Sequence, residues 1–200
     1  MKKRYVVKML IVFISIFFLV NSSHATFWDF NGLTGGTNIN GVNLGGVTIT
    51  SPDNNVWVID DYQTFSGTPS IRASSWDTGK TLTLTFDSLV DFVSIYGGDY
   101  GGDADRFSMT AYDVLGTQIA FADTGSFNGI DPTYPVSEWS GDYRYLSLSA
   151  NNIKSVILTQ VNWGCIWDNL STTPVSVPEP ATMLLLGFGL LGLAGLRRKI

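Results

Sequence analysis

Between Thr26 and Thr173 short stretches in which apolar residues recur at every second position dominate, and the three-to-four spacing of an amphipathic helix is almost missing. TLTLTF (81–86) sets Leu82, Leu84 and Phe86 on one face and Thr81, Thr83 and Thr85 on the other, as a half-buried antiparallel strand requires. RFSMTAYD repeats the pattern, with Phe107, Met109 and Ala111 opposite Ser108, Thr110 and Tyr112. VNLGGVTIT, NVWVID, PSIRAS, FVSIYG, TQIAFAD, YRYLSLSA, SVILTQV and CIWDNLS are further short strand candidates, divided by Gly, Asp, Asn and Pro clusters. VLGTQ (114–118) reads as a hairpin turn in which Gly116 takes positive φ. About ten such strands without helices predict an all-β fold, an antiparallel β-sandwich of jelly-roll type.

Both ends of the chain depart from this pattern. The N-terminus has Lys2, Lys3, Arg4 and Lys8, an apolar stretch from Met9 to Val20, and Ser23-His24-Ala25. That is the layout of a secretory signal peptide, residues 1–25, with cleavage after Ala25. The C-terminus has a charge-free run, 181–196, followed by Arg197, Arg198 and Lys199. As a helix this run spans roughly 24 Å, a short transmembrane segment. The cations fix a cytoplasmic tail, 197–200, and leave the body outside. Between body and helix, STTPVSVPEP reads as a Pro-rich linker over 172–180 that cannot join a sheet, which sets the sandwich domain at 26–171.

Without its ends the chain is strongly acidic. All 17 acidic residues lie between Asp29 and Glu179, and only five of the 12 basic residues do, a net charge of −12. A body so charged repels nucleic acid, and no nucleic-acid partner is expected. Cys165 is the single cysteine and His24 the single histidine, and His24 leaves with the signal peptide. The body therefore has no internal disulfide, and it can build neither a Ser-His-Asp triad nor a His/Cys zinc site. Carboxylates and hydroxyls are the chemistry that remains.

The C-terminal segment, taken whole, joins Pro178-Glu179-Pro180 to a Gly-rich apolar run and an Arg/Lys cluster. It resembles the PEP-CTERM sorting signal of Gram-negative bacteria that make exopolysaccharide. The resemblance implies recognition at Pro178, Glu179 and Pro180 by an inner-membrane transpeptidase of the exosortase class. It further implies an inner-membrane-tethered intermediate, then delivery to the outer envelope or the extracellular matrix, with exopolysaccharide as a candidate partner. It names an address and leaves the role of the sandwich open.

Three features of the body are candidate sites. GGDYGGDADRF (97–107) crowds Asp99, Asp103 and Asp105 on a glycine-rich loop, a set that suits calcium or a solvated acidic hairpin, although the spacing is not that of an EF-hand. Asp29 near the start and Asp168 near the end approach each other if the terminal strands pair. Jelly-roll carbohydrate-binding modules, which the sequence resembles only in general, seat a structural calcium near such termini. The other reading of Asp168 is a buried carboxylate capping its neighbouring loop. Trp76, Trp139 and Tyr100 sit in polar loops and suit glycan stacking, whereas Trp57 and Trp167 lie inside strand patterns and are assigned to packing. Glu138 is the only glutamate outside the PEP motif. A carboxylate-dependent glycosidase is thus the minor alternative, behind a non-catalytic sandwich and a calcium-stabilised carbohydrate-binding module.

Overall fold

The computed structural model describes residues 25–60, 68–73, 78–99, 104–127, 142–162, 165–175 and 188. The chain divides into two units, 24–175 and 1–23 with 176–200. The expected signal peptide 1–25 (Ala25 apart), the motif Pro178-Glu179-Pro180, the apolar segment 181–196 (residue 188 apart) and Arg197, Arg198 and Lys199 lie outside the described residues. Among the described residues no helix is long and apolar enough to cross a membrane.

Nine strands are described, all pairing antiparallel: β1 (Thr26–Trp28), β2 (Val47–Thr50), β3 (Val56–Ile59), β4 (Ser70–Ala73), β5 (Thr81–Asp99), β6 (Phe107–Tyr112), β7 (Gln118–Asp123), β8 (Asp142–Gln160) and β9 (Ile166–Pro174). Two of them carry the architecture. The first half of β5 pairs with β2 and with the second half of β8, which continues to β6 and β7. The second half of β5 pairs with the first half of β8 and with β9, and β9 continues to β4 and β3. β1 extends β4's side of β9, opposite Leu170 to Thr172. The sheet is thus folded over on itself into two layers that share β5 and β8.

The fold-over has a local cause. Register shifts between Thr85 and Phe92 bulge β5, and a bulge bends the strand that carries it. Opposite, Asn152 takes the left-handed conformation (φ 63°), and its N–H donates to Asp91 Oδ1 at 3.0 Å. The polar residues near Asp87 and Asn151 separate two strand candidates on each side in the sequence reading. They bend one strand instead of ending it, so TLTLTF joins FVSIYG and YRYLSLSA joins SVILTQV.

The inner faces of both layers close on one core. Val47, Ile49, Leu82, Leu84, Phe107, Met109, Val156 and Leu158 come from the first layer, and Val56, Val58, Ile71, Val93, Ile95, Leu148 and Trp167 from the second. The Phe107 ring of β6 meets the Trp167 ring of β9 edge-on across the layers, with centroids 6.5 Å apart. Rings of this size bury some 150–250 Å² each, roughly 4–6 kcal/mol of transfer free energy before chain entropy. The space for them exists because residue 97 is glycine: a Cβ there would stand 2.7 Å from Phe107 Cε1 and 2.8 Å from Trp167 Cδ1.

One boundary needs correction. The linker expected from residue 172 begins later, because β9 runs to Pro174, which pairs with Val90. Proline is tolerated here because successive amides point to opposite sides of a strand. Val175 N–H donates to Leu89 O on β5, so the Pro174 nitrogen points the other way, beyond the end of β1. β1, which the alternation did not single out, supplies the terminal pairing anticipated for Asp29 and Asp168. The hairpin at Gly116 forms as expected, with φ 76° and the Asp113 carboxylate accepting from the N–H groups of Leu115 (2.8 Å) and Thr117 (2.9 Å).

Candidate functional site

The second layer presents, away from the core, a face whose composition follows from register. Residues directly opposite one another in a ladder share a face, as do positions two apart along each strand. One row runs Trp57, Arg72, Ile166, Gly98 and Tyr143 across β3, β4, β9, β5 and β8. The next begins with Ile59 and Ser70 and ends with Asp168, Tyr96 and Tyr145. The centre of this face is closed, since Ser70, Asp168, Ile166 and Tyr143 are all buried. Its flanks are open. Tyr145 is exposed and tilts against Tyr96 at 5.2 Å between centroids, while Trp57, Ile59 and Arg72 are half-buried on the other side.

Asp168 lies at the closed centre, 2% exposed. β9 carries an extra residue here: Ser94 and Tyr96, two apart on β5, face Ser171 and Asp168, three apart on β9. Asn169 absorbs the bulge at φ 54°, a conformation asparagine tolerates better than most residues. Its N–H donates to Asp168 Oδ1 at 2.7 Å, and the Thr68 and Ser70 hydroxyls each donate to Oδ2 at 3.3 Å. Burial is the dominant influence and pushes the carboxyl up to about 7, with the nearby charge of Asp29 adding to it and the three hydrogen bonds opposing it. Asp168 is buried, as the capping reading expects, but it does not cap a neighbouring loop: it fastens the β9 bulge to the strand that follows Thr68.

Asp29 comes within electrostatic reach of Asp168, as terminal pairing predicts, but it is exposed and its oxygens accept from Asn31 N (3.2 Å) and Nδ2 (3.0 Å). Beside it, Phe27, Trp28, Phe30, Gly32, Leu33 and Leu44 surround a recess of about 260 Å³. Phe30 is buried there at φ 55°, an uncommon conformation for a bulky residue.

The other predicted site residues separate. Asp105 is fully buried and exchanges both backbone hydrogen bonds with Phe127, each 2.9 Å. The solvated-hairpin alternative therefore fails at Asp105. Asp103, Tyr100, Trp76, Trp139 and Glu138 lie outside the described residues, as does the side chain of Asp99, though its backbone ends β5. Among the described residues no group of three or more Asp, Glu, His or Cys is placed to hold a metal ion. Trp167 is a core residue, as expected, but Trp57 is not. It points away from Val56 and Val58 and, with Gly36, Val58, Ile59, Asp60 and Arg72, lines a groove of about 320 Å³. Strict alternation in VWVI would have placed Trp57 on that outer face.

Residues 176–199 match the PEP-CTERM protein-sorting motif. No curated protein matches the chain. Among solved structures, the K1 cleaved adhesin domain of Lys-gingipain from Porphyromonas gingivalis W83 is similar at 8% identity and a TM-score of 0.49, over 76% of this chain and 99% of that one. The K2 adhesin domain of Lys-gingipain gives 13% identity and a TM-score of 0.49, over 75% and 99%. The CBM22-1 xylan-binding domain of Paenibacillus barcinonensis Xyn10C gives 16% and 0.43, over 79% and 99%. All three TM-scores lie below one half, and no role for this chain follows from them.

Proposed function

We propose that this chain, which carries a PEP-CTERM sorting motif, is an exported surface or matrix protein with a non-catalytic ectodomain of jelly-roll type. The match over 176–199 carries the reading. A signal peptide removed after Ala25 starts export, and the 181–196 segment with Arg197, Arg198 and Lys199 holds the intermediate in the inner membrane. An exosortase-class transpeptidase then acts at Pro178-Glu179-Pro180 and releases the body to the outer envelope or matrix. Sixteen charge-free positions including four glycines make a weak anchor, suited to temporary retention.

Asp168 is not placed to serve as a glycosidase carboxyl. A glycosidase needs two carboxyls facing a cleft. Asp168 has both oxygens engaged within the fold and almost no exposure, so a substrate does not meet it.

The test is to replace Pro178, Glu179 and Pro180 by alanine in an exosortase-bearing host. Insertion should survive, because hydrophobicity and the basic cluster drive it. The variant should accumulate in the inner membrane, heavier than the wild type by the mass of the tail. Wild-type protein recovered from the envelope or matrix with Arg197 to Ile200 still attached would make the segment a plain anchor.

A further inference from the structure

We infer that the groove beside β3 and β4 is a subsite for one neutral sugar ring of an extracellular polysaccharide, with Trp57 as its stacking platform. The inference rests on the surface-protein reading and gives the ectodomain a ligand class. The groove's size, about 320 Å³, stands at the small end of ligand pockets and suits a single ring with its neighbours outside.

Its lining has the two kinds of surface a sugar ring presents. A pyranose has an apolar face of C–H bonds and an equator of hydroxyls. Trp57 and Ile59, two apart on β3, offer apolar surface on the same side of the sheet. Arg72, directly opposite Trp57 on β4, brings a planar guanidinium that donates, and Asp60, exposed at the end of β3, brings a carboxylate that only accepts. Asp60 is packed against backbone: a Cβ on residue 35 would fall 2.0 Å from its carboxyl carbon, so Gly35 is what admits it. A donor and an acceptor of opposite charge flanking an aromatic plane can read vicinal hydroxyls from both sides.

The same residues disfavour other occupants. A peptide adding as a strand needs a free sheet edge, but the 36–39 segment already occupies the outer edge of β3. Gly36 N–H donates to Val58 O (2.8 Å), Val58 N–H to Thr37 O (2.9 Å) and Ile39 N–H to Val56 O (2.8 Å). A polyanion, whether nucleic acid or acidic polysaccharide, meets the −12 charge of the body and Asp60 at the rim. A neutral glycan meets neither obstacle.

Affinity electrophoresis of the full chain in non-ionic detergent, in gels containing hydroxyethyl cellulose, galactomannan, dextran or laminarin, tests this directly, with alginate as the acidic comparison. At least one neutral polymer should retard the wild type more strongly than alginate does. Trp57→Ala should weaken that retardation by about tenfold or more, as loss of a central aromatic anchor does, while Trp57→Phe keeps most of it. Asp60→Asn, on an exposed side chain, should weaken it without disturbing the fold, and Phe121→Ala, on the exposed side of β7, should leave it unchanged. Retardation by none of the four polymers, by alginate alone, or equally in wild type, Trp57→Ala and Asp60→Asn would overturn the subsite. Tail removal at the PEP motif is read separately by mass, so a failed subsite and a failed sorting assignment give different results.

Discussion

Replacing Asp168 by asparagine should change how the stability of the fold depends on pH. The carboxyl titrates at about 7 in the folded protein, against 3.8 for the free group. Below the lower value it is protonated in both states and has no pH-linked effect. Between the two, the folded chain keeps a proton that the unfolded chain has lost, so stability falls as pH rises and is fully reduced above about 7. The gap of about three pH units corresponds to ~4 kcal/mol at 1.36 kcal/mol per unit. The substituted amide cannot ionise, and its carbonyl can still accept from Ser70, Thr68 or the 169 N–H. The assay is urea unfolding of wild type and Asp168→Asn at half-unit steps from pH 4.5 to 8.5. Other carboxylates contribute equally to both proteins, so the difference between the curves isolates this group. The variant should gain on the wild type by several kcal/mol across the range, roughly 10 °C in melting temperature for a domain of this size. Asp29→Asn should leave the onset of the wild-type decline in place and move its upper end to lower pH, because the Asp29 charge helps to raise the Asp168 carboxyl in the folded chain. Parallel curves for wild type and Asp168→Asn would refute the claim that a buried, reluctantly ionised carboxyl sits in the β9 bulge.

Two further outcomes follow from packing. Gly97→Ala should destabilise the body by about 1–3 kcal/mol in chemical denaturation, because the new methyl is forced between the Phe107 and Trp167 rings, and an unchanged midpoint would mean the rings are not packed there. Cys165 is buried and is the single cysteine of the chain, so a melting curve recorded with and without reductant should be the same, and a shift would show a disulfide between two chains, which a buried thiol does not form.

What the sequence disclosed depended on how local the cause was. The alternation of Leu82, Leu84 and Phe86, or of Phe107, Met109 and Ala111, is a property of a few neighbouring residues and was legible at once. So was the turn at Gly116, where one φ angle and one aspartate suffice. The continuity of β5 and β8 was not legible, because the segments around Asp87 and Asn151 have the composition of turns. What makes them bends is Asp91 meeting Asn152, two residues 61 positions apart. Pro174 misled for a similar reason: its missing donor matters only on a side that has a partner strand, and β1 has already ended. The pairing of Asp29 with the region of Asp168 followed from strand logic, whereas the depth at which Asp168 lies depends on Thr68 and Ser70. The Trp57 groove shows the opposite failure. The alternation in VWVI sets Trp57 on the outer face, whereas the size and apolarity of a strand tryptophan point to the core.

The strands shared by both layers also set how the body carries load. A domain fastened at its C-terminal end is pulled through β9, which lies between β5 on one side and β4 and β1 on the other, every neighbour running antiparallel to it. Tension along β9 therefore strains its ladder bonds together, in shear, instead of peeling them away one by one. β5, the strand that receives this strain, runs on without a break into the other layer and there joins β2 and β8. Force entering at Pro174 is thus distributed over both layers through continuous backbone. The sorting motif lies just beyond that residue, so tension applied from the C-terminal side enters the body through β9.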